Sequence, residues 1–149
     1  MKINYVVGDA TAPIGEDRKI ICHICNDIGA WGAGFVLALS NKWRYPEDRY
    51  RAMPNYQLGT AMVLEVEPEV YVANMIAQHG TRPDAQGIPP VRYVALAQAL
   101  EKVNKVAMTI GATLHMPRIG CGLAGGEWEA VEAVIDDVVT VDVTVYDLS

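Results

Sequence analysis

Cys22–Phe35, CHICNDIGAWGAGF, leaves an apolar run, passes through Asn26 and Asp27, and meets Gly29, Gly32 and Gly34 before apolar residues resume. The apolar stretch over 19–24 suits a strand covered on both faces of a sheet. Residues 34–41 have helical spacing, which continues toward Arg51 with an interruption around Tyr45-Pro46. A buried strand that enters a helix through bare backbone is an α/β unit. What lies against that backbone is the question the rest of the chain answers.

Working outward, residues 3–7, 60–65, 70–75, 113–116 and 141–148 read as further strands. Residues 91–111 carry Val94, Leu96, Ala97, Leu100, Val103 and Val106 at roughly helical spacing and end on a glycine, and 127–139 read as another helix. VEPE at 66–69 is a turn. His79–Pro90 holds Gly80, Pro83, Gly87, Pro89 and Pro90 and is expected to be an exposed, mobile loop. Six strands interleaved with helices predict a three-layer α/β/α sandwich around a mixed, mostly parallel sheet. In such sheets ligands bind beyond the carboxyl ends of the strands.

The 149 residues, 51% hydrophobic and 20% charged, suit one domain over 1–149. A net charge of −6 and no basic stripe argue against a nucleic acid duplex as partner. The N-terminus is too short in apolar residues for a signal peptide, and no stretch approaches about 18 apolar residues, so no membrane partner and a cytoplasmic location are expected. The three cysteines are expected to be reduced thiols. Cys22 and Cys25 spell CxxC within a strand rather than at a helix start, where a helix dipole would lower a thiol pKa, which argues against a redox site. Cys121, His79 and His115 are scattered without zinc spacing, and no acid cluster has metal spacing, so neither metal nor cofactor is expected.

Strand ends carry the remaining signal. Gly8-Asp9-Ala10-Thr11 follows the first strand, 26–34 the second, and 118–126 (RIGCGLAGG) the fifth; the last two are glycine-rich and run into helices. Such turns let backbone N–H groups converge beside a helix N-terminus, which suits phosphate, and two of them suit a diphosphate. Either turn alone is also explained by tight strand-to-helix geometry.

GDAT at 8–11, HxxNxxGxWGxGF at 23–35, MPRIGCGL at 116–123 followed by GGEW, and the closing TVYDL resemble the macrodomain family, across nearly the whole chain. The pattern with Arg44-Tyr45-Pro46 downstream is similar to its ADP-ribose 1″-phosphate phosphatases. The resemblance implies binding of ADP-ribose or ADP-ribose 1″-phosphate, or of ADP-ribosylated protein. It implies Asp9 at the adenine amine with Gly8 and Ala10 beside it, and Tyr146 near the adenine edge; an ordinary strand tyrosine is as good a reading of Tyr146. Asn26 would contact the distal ribose. Gly29, Trp31, Gly32, Ala33 and Gly34 would line one side, and Ile119, Gly120, Cys121, Gly122, Leu123, Ala124 and Gly125 the other.

Relatives that hydrolyse ADP-ribose through a lysine nucleophile and a supporting acid have Gln78 and Ala124 at those places here, which disfavours that route. For phosphate removal, His23 is the expected acid or base, with Asn26 and Asp27 beside it and Asp27 either orienting water or capping the turn. A histidine in an apolar strand is as readily a core residue. His79 and His115 lack sequence companions and read as structural or surface residues. The expected activity is metal-independent phosphatase. The alternatives are a non-catalytic reader of ADP-ribose, an ADP-ribosyl hydrolase using water, a module for another nucleotide diphosphate, and a structural interaction domain.

Overall fold

The computed structural model describes residues 3–149. In chain order the elements are β1 (Ile3–Val7), β2 (Arg18–Asn26), α1 (Phe35–Lys42), α2 (Tyr45–Arg51), β3 (Ala61–Glu67), β4 (Val70–Gln78), α3 (Tyr93–Ile110), β5 (Ala112–Met116), α4 (Trp128–Val138) and β6 (Val143–Asp147). The sheet order is β1-β6-β5-β2-β4-β3. Only the β3–β4 pair is antiparallel, because a short turn joins those strands; every other pair is parallel. The sandwich architecture and mixed sheet are as expected.

β2 and β4 are buried along most of their length, and their residues alternate between two cores. Ile20, Cys22, Ala73 and Met75 face α3 and α4, while Ile21, Cys25, Val72 and Ile76 face α1 and α2. The stripe on α3 at Leu96, Leu100, Val103 and Ala107 covers the first core, and Gly111 ends that helix at φ 71° with its N–H on Ala107 O. Trp43 ends α1 in an extended conformation, and Pro46 sits in the first turn of α2, where its missing N–H costs nothing. The interruption near Tyr45-Pro46 is thus a break between two helices.

β2 and β4 are longer than residue type alone suggests, since their pairing continues past a bulge to Asn26 and Gln78. β6 is shorter than 141–148. The 79–90 segment is exposed, as expected, but it is held in a defined shape. His79 N–H donates to Pro90 O, Asp84 Oδ1 accepts the N–H groups of Gln86 and Ile88, and Val91 N–H donates to Ala124 O.

Odd spacing in a strand puts Cys22 and Cys25 on opposite faces of the sheet, so the CxxC pair cannot share a disulfide or a metal. Burial pushes the Cys22 thiol up to about 12 and raises Cys25 further, whereas Cys121 is part-exposed. A thiol titration of folded protein should therefore modify Cys121 alone, with Cys22 and Cys25 reacting only after unfolding. Fast labelling of either strand thiol in the native state would contradict this packing.

Candidate functional site

Three neighbouring cavities follow the carboxyl ends of the strands. The first, about 390 Å³, lies between Asp9, Phe35, Pro117 and Tyr146. A second of about 290 Å³ shares Gly34, Phe35 and Pro117 with it and is walled by Ala33 and Val36 on one side and Gly120, Gly122 and Ala124 on the other. The third, about 310 Å³, shares Ile24, Gln78 and Leu123 with the second and extends to Asn26, Trp31 and Thr81. Both glycine-rich turns therefore border one groove.

Asn26 shapes the first turn. Its Oδ1 accepts the N–H groups of Ile28 (3.1 Å) and Ala30 (3.0 Å) and lies 2.8 Å from the Tyr50 hydroxyl, while Nδ2 donates to Ala30 O at 2.7 Å. Asn26 thus holds the backbone of the turn through its side chain while bordering the third cavity. Trp31 is likewise a wall, 6% exposed, with Nε1 donating to Ser40 Oγ at 2.8 Å. Gly34 enters α1 at φ 76°, ψ −142°, a conformation few residues other than glycine adopt, and no side chain caps the helix. Among the described residues, the N–H groups of Trp31 to Val36 find no acceptor in the protein.

The second turn is closed by its own backbone. Gly126 N–H donates to Gly120 O at 2.7 Å and Gly125 N–H to Gly122 O at 3.1 Å, which leaves the N–H groups of Gly120 to Ala124 without a protein acceptor among the described residues. A Cβ on Gly125 would come within 3.0 Å of Pro89, so the 79–90 segment buttresses this turn from outside. A Cβ on Gly34 would lie 3.9 Å from Leu123 Cδ1, which measures how closely the two turns approach. Gly29, Cys121 and Gly125, expected as lining residues, border none of the three cavities. The Cys121 thiol is directed to Ile119 O at 3.5 Å.

Asp9 Oδ1 accepts the Thr11 N–H (2.9 Å) and hydroxyl (2.8 Å), and the Thr11 amide holds the carboxyl below its ordinary range. Asp9 Oδ2 has no partner among the described residues, and Asp9 borders the first cavity. Tyr146 lines the same cavity, and its buried hydroxyl accepts the Ile14 N–H at 2.9 Å.

The acid–base expectations change most. His23 borders the second cavity but is 2% exposed, packed edge-on to Trp31. Its Nε2 lies 2.5 Å from Asn74 Oδ1, and Asn74 Nδ2 donates to Pro46 O, so Nε2 carries the proton. Nδ1 is buried without a partner. Burial drives the ring pKa down to about 4, against a weaker upward pull from Asn74, so the near-neutral imidazole expected here is instead a neutral ring unfit to donate a proton. Asp27 faces away from a water-orienting role: Oδ2 lies 2.7 Å from His79 Nδ1 and Oδ1 accepts the Gly80 N–H at 2.8 Å. Burial works to raise that carboxyl, and the Gly80 amide and His79 ring outweigh it to hold the pKa low.

His79 and His115, read as lacking companions, both have them. His115 lies between Thr113 and Tyr146. Phe35, Val36, Pro117, Arg118 and Thr81 also border the groove and carried no signal beyond adjacency to the glycine motifs.

No protein-family model matches the chain. A macrodomain protein from Streptomyces coelicolor has 47% sequence identity and a TM-score of 0.85, covering 99% of this chain and 100% of that one. ADP-ribose glycohydrolase OARD1 of Bos taurus is 31% identical over 151 residues, 99% of this chain and 92% of that protein. An ADP-ribose 1″-phosphate phosphatase of Lodderomyces elongisporus is 27% identical, covering 98% of each. Chromodomain-helicase-DNA-binding protein 1-like of Danio rerio is 32% identical over 89% of this chain, which spans only 14% of that protein's length. The glycine turns, the sheet order and these end-to-end likenesses agree: the chain belongs to the macrodomain family.

Proposed function

We propose that the groove binds ADP-ribose and that the chain removes phosphate from ADP-ribose 1″-phosphate. The observation that carries binding is the pair of unpartnered amide runs, at 31–36 and 120–124, of which 33–36 and Gly120 with 122–124 border one cavity. An amide array beside the start of α1 suits a diphosphate. Adenine then occupies the cavity at Asp9 and Tyr146, with Asp9 Oδ2 taking the exocyclic amine, and the distal ribose occupies the cavity at Gln78 and Thr81. Replacing Asp9 by Ala should weaken ADP-ribose binding by about 10-fold, the worth of a hydrogen bond to a charged group. Unaltered affinity in calorimetry would remove Asp9 from the adenine contact.

In the phosphatase step a water oxygen bonds to phosphorus and gives up a proton to solvent, the bond from phosphorus to the anomeric oxygen breaks, and that oxygen takes a proton. The amide array stabilises charge on the phosphoryl oxygens. With His23 neutral and buried, the leaving oxygen draws its proton from solvent, so turnover is slow. The same inventory favours a second reading, a reader of ADP-ribose or ADP-ribosylated protein without chemistry: Gln78 and Ala124 are no nucleophile and base, and Asp27 is tied to His79. Incubation with ADP-ribose 1″-phosphate and, separately, an ADP-ribosylated peptide separates them. Phosphate release supports the phosphatase, loss of ADP-ribose from peptide a water-using hydrolase, and binding without consumption of either the reader.

A further inference from the structure

Beneath the first cavity lies a chain of hydrogen bonds, buried at its centre, that no step above uses. Thr113 Oγ1 is 2.7 Å from His115 Nε2, and His115 Nδ1 is 2.7 Å from the Tyr146 hydroxyl, which accepts the Ile14 N–H at 2.9 Å. His115 and Tyr146 are 2% and 3% exposed, so water does not stand between these two groups. The proton order follows. The Tyr146 hydroxyl proton has no acceptor among the described residues other than His115 Nδ1, so Nδ1 is the bare nitrogen and Nε2–H donates to Thr113, whose own hydroxyl reaches Arg18 O at 3.5 Å. The Tyr146 ring floors the cavity and lies 3.4 Å from where a Gly8 Cβ would stand. Ile14 ends the segment that starts at Asp9, and Lys42 Nζ donates to Thr11 O within it.

We propose that His115 is a positioning residue for base recognition: through the Tyr146 hydroxyl it sets both the aromatic floor and the Asp9 segment, without touching ligand. The inference rests on the adenine placement proposed above. Burial, aided by the Lys19 charge, keeps the ring neutral, as the proton order requires.

A positioning role predicts a change in selectivity rather than in affinity alone. Asp9 accepts a hydrogen bond from adenine's amine but not from the carbonyl that hypoxanthine has in its place. Calorimetry with ADP-ribose and its hypoxanthine analogue should therefore give wild-type protein a preference of at least about 10-fold for adenine. His115→Phe, which keeps bulk and deletes the acceptor, should bring that ratio to near 1. His115→Asn, whose Oδ1 falls near the place of Nδ1, should restore most of it. Should His115→Phe not fold, Tyr146→Phe removes the same bond from the other side and should lower the ratio likewise. A folded His115→Phe or Tyr146→Phe variant with the wild-type ratio overturns the proposal, even if both ligands bind more weakly. Wild-type protein that binds neither ligand overturns the adenine placement itself, and one that binds both equally overturns the part given to Asp9.

Discussion

Gly126→Ala should weaken ADP-ribose binding by about 100-fold and lower stability by about 1–3 kcal/mol. Its Cβ would stand 2.5 Å from Gly120 O, 3.0 Å from Val91 Cγ1 and 3.1 Å from the Tyr93 hydroxyl oxygen. The first of these is backbone, and it accepts the Gly126 N–H that closes the turn. Nothing flexible can yield, so the turn must open, and the amides of 120–124 move with it. A displacement of about 1 Å in a positioned array costs about two orders of magnitude. Gly32→Ala is the comparison, because nothing lies within 4 Å of its Cβ, and that variant should keep the wild-type melting temperature. Calorimetry and thermal melts check both. Wild-type affinity in Gly126→Ala would mean that the second turn does not hold the ligand.

Acid should destabilise the fold well before its carboxylates protonate. His23 and His115 both have folded-state pKa values near 4, burial being the main cause, against an ordinary value of 6.5. A depressed histidine favours the folded state through its neutral form. Its contribution is complete above about pH 6.5 and declines as pH falls toward 4, because the unfolded chain binds the proton first. Each ring accounts for about 3 kcal/mol across that window, and the two together for about 6, comparable to the total stability of an ordinary domain. Asp9 and Asp27, with lowered pKa values, act in the same sense, but their contribution is lost only below about pH 4. Urea denaturation at pH 7 and pH 4.5 measures the difference, and His115→Asn should remove about half of it. A flat profile between those values would mean that the rings are not held neutral.

The fold was legible because its signals are periodic and local: the doubly buried runs of β2 and β4, the stripe on α3 and the glycine turns each announce an element by spacing alone. The site was legible in its backbone and not in its side chains. Which turns border the groove follows from the rule that strand ends carry ligands, and the sequence shows those ends. Whether His23 meets solvent depends on Asn74, which arrives from β4 51 positions away, and on how the turn folds Trp31 and Phe35 back over the ring. That Tyr50, from α2, joins Ile28 and Ala30 at the Asn26 oxygen is likewise unannounced by its neighbours in sequence. His79 and His115 seemed isolated for the same reason: their partners, Asp27 and Tyr146, lie 52 and 31 positions away.

Recognition through main-chain amides separates holding a nucleotide from acting on it. Every residue type but proline supplies the same donor, so positions along the two turns can drift in evolution while the grip persists, provided the few glycines with no room for a methyl group stay. Reactivity then becomes an interchangeable attachment. Descendants of one such receptor can acquire or discard a reaction by exchanging single side chains along the rim, with the cradle itself inherited unchanged.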